Sequence, residues 1–208
     1  RGAEAPELPP LIRIPGPGEY VLVLVLHPFR PATRFPVPAT IMLSDLLGGG
    51  PHSELFRRVR QEARLAYAVG SNVTLMSGCG ILDVFATVRK GDVCRALEVI
   101  LGSLGQLAAQ GLEPQVFEEA RQRLLRSLDL FEDNPLELCN FLAYSPEQEV
   151  TLKTPQHYRA DLDTFTCDDA SRIAADLLKP AGRVCVLMGP AGWLTRWRVK
   201  RLLAEKQG

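Results

Sequence analysis

The chain has few of the features that announce a chemistry. Its three histidines, His27, His52 and His157, lie far apart, and none has a second histidine within a turn or two of helix, so no histidine pair on one helix can hold a metal. His52 with Glu54 is only H-x-E, whose side chains leave a helix on different sides. Each histidine reads as a surface or turn residue. The five cysteines are scattered and never form a C-x-x-C pair. That excludes a disulfide frame or zinc knuckle and suits small buried residues in a reducing, cytoplasmic location. No apolar run reaches the roughly 18–20 residues that a membrane span needs. Lys+Arg and Asp+Glu are both 24, so net charge gives no argument for nucleic acid as a partner. Gly48-Gly49-Gly50 lacks both the Gly-Lys-Ser/Thr ending of a P-loop and G-x-G-x-x-G spacing. No serine sits in G-x-S-x-G and no cysteine has a histidine nearby in sequence, so serine and cysteine catalysis have little support. The opening RGAEAPELPP has neither a charged start followed by an apolar run nor a cleavage site, so no signal peptide is expected.

What is present suffices for one core: 208 residues, 46% of them hydrophobic. Residues 1–18 carry five prolines and read as an extended linker from an upstream domain, with Leu11, Ile12 and Ile14 pinning it to the body. Tyr20–Leu26 has the composition of a strand buried on both faces, hence central in a sheet, and His27–Pro38 is expected as a loop. A short apolar helix, Ala39–Leu47, stops at the glycines. Leu65–Met76 and Ile81–Val88 are expected strands of a hairpin turning at Ser77-Gly78-Cys79-Gly80. Helices follow from Gly91-Asp92 to Ala109, from Pro114 to about Phe131, over Pro135–Ala143, from Thr154-Pro155, and after a Thr166/Asp169 capping box. Arg183–Met188 is the last strand. This order describes a two-layer α+β domain over residues 19–190, with one largely antiparallel sheet packed with helices. Residues 191–208, with Trp193, Trp197 and Leu203 among Arg196, Arg198, Lys200 and Arg201, read as a basic amphipathic helix docked on that domain.

The stretch Leu46–Gly70, LLGGGPHSELFRRVRQEARLAYAVG, organises the rest. Gly48, Gly49 and Gly50 fall where a helix ending at Leu47 needs a left-handed residue. Pro51 suits the opening of a new helix, in which Leu55, Phe56, Val59 and Ala63 form one apolar stripe. Leu47, Gly48–Gly50, Ser53, Leu55, Phe56, Arg60 and Leu65-Ala66-Tyr67 together resemble a signature of the second, non-catalytic half of M16 zinc metallopeptidases, the pitrilysin and mitochondrial-processing-peptidase group. Arg64 stands where that signature has glycine, which leaves the local turn open. The order of helices and strands over nearly the whole chain resembles the same half.

The resemblance implies a domain that carries no catalytic residue and no zinc of its own. It would pair with a half that bears H-x-x-E-H, whether upstream in the same chain or in a separate subunit, and that half would hold the zinc. Together the halves would enclose and hydrolyse extended peptides. It further implies Arg60 and Tyr67 as substrate-binding residues, with Gly48, Gly49 and Gly50 as a candidate substrate-facing loop, and an exposed apolar face through which the isolated chain self-associates. Two other readings stay open: an inert scaffold subunit of the same fold in a larger complex, and an autonomous module that binds through the basic tail.

Overall fold

The computed structural model describes residues 9–30, 35–76, 79–136, 138–139 and 154–205. Five strands make one sheet in the order β1-β5-β2-β4-β3: β1 Leu11–Ile14, β2 Tyr20–Phe29, β3 Ala66–Met76, β4 Cys79–Arg89 and β5 Val184–Met188. Only the β1–β5 pairing is parallel. Between and after the strands come α1 Val37–Gly48, a π-helical segment Phe56–Glu62, α2 Val93–Gln110, α3 Pro114–Asp133, α4 Pro155–Thr164, α5 Cys167–Leu177 and α6 Trp193–Glu205. The domain is α+β, with a mixed sheet that is antiparallel except at its β1 edge.

Strand alternation decides where the core lies. Val21, Val23 and Val25 of β2 are fully buried, as are Leu82, Val84, Ala86 and Val88 of β4 and Cys185 and Leu187 of β5. They meet Leu97, Ile100, Leu101 and Leu104 of α2 and Leu43 and Leu47 of α1 in one cluster. The intervening residues Leu22, Leu24 and Leu26, with Ile81 and Phe85, are only half-buried and join none of the buried clusters. So β2 is central, but one of its faces is covered by helices and the other is not, where the sequence suggests burial on both. Behind α1, Met42 and Leu46 pack on Phe117 and Ala120 of α3 and Ala170 of α5.

Several elements depart from the sequence reading. Leu11–Ile14 is an edge strand paired with Cys185–Met188, so part of the proline-rich stretch belongs to the sheet. β2 continues through His27 to Phe29, and His27 is 2% exposed instead of lying in a surface loop. Pro28 is tolerated because it lies beyond Leu26, the last β2 residue paired with β5. Met76 faces Cys79 across the hairpin, so Cys79 and Gly80 are strand residues, while Ser77 and Gly78 lie outside the described residues. Most of the expected Pro135–Ala143 helix lies outside them too. The Thr166 capping box forms: the Thr166 hydroxyl accepts from the Asp169 N–H, and the Asp169 carboxylate accepts from the Thr166 N–H. Val199 and Leu203 bury α6 in the main core, but Trp193 and Trp197 are 77% and 56% exposed and take no part in docking it.

Candidate functional site

The three glycines at the end of α1 serve three separate ends. α1 includes Gly48, and a Cβ there would collide with the backbone of Gly70 and Ser71, so glycine lets the helix end press directly on β3. Ser44 and Ser71 fix the same approach: their hydroxyls are 3.1 Å apart and the Ser71 hydroxyl donates to the Ser44 carbonyl at 2.6 Å. Gly49 is crowded by Asp45, whose carbonyl accepts its N–H. Of the three, only Gly50 has a positive φ, +143°. Ser53, buried, then donates its hydroxyl to the Gly50 carbonyl at 2.6 Å and starts the next helical turn.

That next helix is π-helical, not α-helical. The Ala63 N–H reaches the Arg58 carbonyl and the Leu65 N–H reaches the Val59 carbonyl, both at 3.0 Å. Leu55 and Val59 are fully buried, whereas Phe56 is half-buried and carries the Arg60 guanidinium 5.0 Å from its ring centroid. The arginines divide. Arg57 pairs with Glu54 and Glu62, and Arg58 pairs with Glu54 and donates to Gln106 of α2. Arg60, among the described residues, has no carboxylate and is held only by the aromatic face.

The corner between helix and strand turns at Arg64, whose φ is +53°. The left-handed turn for which the signature supplies glycine is therefore kept, with an arginine enduring it. Leu65 is then buried, and β3 opens with an irregularity: Ala66 faces Val88 and Ala68 faces Thr87, which leaves Tyr67 as an extra residue between consecutive β4 partners. Tyr67 is 75% exposed. Since the Leu65–Val59 bond closes the corner, Arg60 and Tyr67 each lie within two residues of that closure, and both are solvent-accessible. Chemically the pair offers a hydroxyl and a guanidinium, both exposed, at one corner of the chain.

The described residues do not suit zinc. His27 is buried in β2, His52 has only Asp45 nearby at 3.9 Å, and the His157 ring accepts from the Thr154 N–H at the start of α4. No group of three or more His, Cys, Asp or Glu among the described residues is placed to hold a metal. All five cysteines are free thiols, with Cys185 buried and its thiol pushed up to about 12 by that burial. No described helix is long and apolar enough to cross a membrane.

A family profile described as the peptidase M16 inactive domain matches residues 23–124, the span from β2 through the first half of α3 and so including the corner. Over that span the chain is similar to the inactive-type domain of the peptidase M16 family. An uncharacterized zinc protease of Streptomyces coelicolor is 29% identical over 137 residues, which are 66% of this chain and 30% of that protein. The M16 inactive-domain structure from Pseudomonas fluorescens superposes with a TM-score of 0.68 at 18% identity, over 88% of this chain and 44% of that one. A protease structure from Helicobacter pylori gives 0.75 at 16% identity, over 86% and 44%. The chain thus spans about a third of the curated relative's length and under half of each of these two solved chains.

Proposed function

We propose that this chain is the substrate-engaging, non-catalytic half of a zinc metallopeptidase, paired with an H-x-x-E-H half that supplies the zinc and the hydrolytic water. The observation that carries the reading is the corner. An exposed tyrosine is the extra residue at the start of β3, and an arginine with no carboxylate partner among the described residues stands six residues before the strand. A structural arginine on that helix would be paired as Arg57 and Arg58 are. In the assembled enzyme Arg60 holds a peptide carbonyl and Tyr67 donates to a carbonyl oxygen as it gains charge. The half-buried face bearing Leu22, Leu24, Phe85 and Thr87 turns toward the peptide chamber, and its apolar residues drive self-association when the partner is absent.

The test is kinetic, with the zinc-bearing half present. Tyr67→Phe is expected to lower kcat about 100- to 1000-fold with folding unchanged. Arg60→Ala acts on KM, because a contact made equally in ground and transition states changes binding and not the chemical step. Full kcat/KM in both variants on an extended peptide would overturn the assignment and favour an inert scaffold of the same fold.

A further inference from the structure

The last helix, α6, has two apolar faces. Val199 and Leu203 turn inward and join Leu97 and Leu101 of α2 in the main cluster. At 3.6 residues per turn, Trp193, Trp197 and Ala204 fall on one line that leaves the helix on roughly the other side, with Leu194 beside it. All four are exposed, Trp193 the most at 77%. Indoles are highly buried on average in folded chains, so two of them one turn apart in the open are the informative kind of exposed residue.

Cations border that line on both sides. Arg196 and Lys200 stand on one flank, Arg198 and Arg201 on the other, all of them exposed. Arg201 is paired with Glu205, and Arg198 shares the surroundings of Cys94 on α2 with Glu98. Arg196 and Lys200 have no ion pair among the described residues. Four cations against one carboxylate, Glu205, give α6 a net charge of +3 in a chain whose formal net charge is +0. The excess is local, and it surrounds an apolar stripe.

Such a stripe matches a partner that is apolar within and anionic at its rim. Single-stranded nucleic acid would meet the cations, but it is held in grooves by flat rings, whereas Trp193 stands clear of its surroundings and Leu194 offers a base no flat face. We propose that α6 is a docking surface for an anionic lipid bilayer. Trp193, Leu194 and Trp197 sit at the level of the headgroups, and the flanking cations lie among the lipid phosphates. The helix rests on the bilayer without crossing it, since Val199 and Leu203 stay packed in the core. The surface stands whether or not the peptidase reading does.

Trp193 and Trp197 are the only two tryptophans of the chain, so its tryptophan emission reports on α6 alone. The experiment titrates the full chain at pH 7 with vesicles of equal parts phosphatidylglycerol and phosphatidylcholine. A saturable blue shift, quenched when the acyl chains carry bromine near the headgroup, is the expected result. Vesicles of phosphatidylcholine alone should bind about 100-fold more weakly, at about fivefold for each excess positive charge. Arg196→Glu combined with Lys200→Glu reverses two exposed charges and should lose at least as much, with circular dichroism unchanged. Leu194→Asn, which keeps both reporters, should weaken binding about three- to tenfold. Absence of the blue shift, equal affinity for the two kinds of vesicle, or undiminished binding in the charge-reversed protein overturns the proposal. A tighter complex with oligothymidylate than with the anionic vesicles gives the face to nucleic acid, and loss of vesicle binding when a zinc-bearing half is added gives it to that half; either result overturns the membrane assignment.

Discussion

Two arginines in this domain occupy places that disfavour them, for opposite reasons. Arg64 has an exposed, hydrated head group on a backbone forced to φ +53°. Arg183 has no such backbone strain, but its side chain is buried and its Nη2 has no partner among the described residues. The first cost is conformational, roughly 1 kcal/mol, local, and indifferent to pH. The second is a solvation cost in a low-dielectric site, felt by the neighbouring imidazole. One residue type thus destabilises the fold through two unrelated terms, and each responds to a different perturbation.

The largest effect expected is on the pH dependence at the Arg183 end. Burial first, then the charge of Arg183, pulls His27 from 6.5 down to about 4. The native state therefore refuses a proton that the unfolded chain accepts below pH 6.5. Stability from this group is whole above that value and falls as pH drops toward 4, with about 2 kcal/mol already gone at pH 5. Urea titrations at pH 7 and pH 5 on the parent and His27→Gln measure it. An equal loss in the variant would move the sensitivity to another group.

Next comes Arg183→Met, expected to stabilise the free protein by about 1–3 kcal/mol at pH 7, since a buried unpaired charge gives way to an apolar chain of similar length. It should also lessen, without abolishing, the pH dependence at His27, because the charge of Arg183 is gone while burial, the larger cause, remains. A destabilised variant would mean that Arg183 already has a partner in solution. The smallest effect belongs to Arg64→Gly, a gain of at most about 0.5 kcal/mol once the greater freedom of unfolded glycine is deducted. Arg64→Met should change almost nothing, as any L side chain keeps the same φ cost. If methionine gained as much as glycine, the cost at the corner would lie in the charge, and the contrast with Arg183 would collapse.

Legibility followed the range of the signal. The Thr166/Asp169 box, the Pro114 start and the pairing of β3 with β4 are set by residues close in sequence and stand as the sequence reads, although β4 begins two residues earlier, at Cys79. β1 was not legible as a strand, because four residues show no periodicity and their partner, β5, lies some 170 positions away. The π-helical geometry was hidden because Leu55 and Val59 suit an α-helix equally. His27 read as a loop residue since Pro28 follows it, and only the β5 pairing, which stops at Leu26, shows why a proline is harmless there. At the corner, the departure at Arg64 was visible, but not its outcome: packing of Val59 and Leu65 holds the turn against the preference of the residue making it.

The strand order has a consequence for synthesis. β5 sits between β1 and β2, two strands that leave the ribosome one after the other, while β2, β4 and β3 form a contiguous antiparallel set. As the chain grows, that set can pair by the time Arg89 has emerged, yet the other edge of β2 stays unpaired until Met188 follows it. For about a hundred residues of elongation the nascent chain exposes the backbone of Leu22–Leu26, its most apolar strand, at an open edge. The helices made during that interval cover one face of β2 but cannot close its edge; only the last strand does.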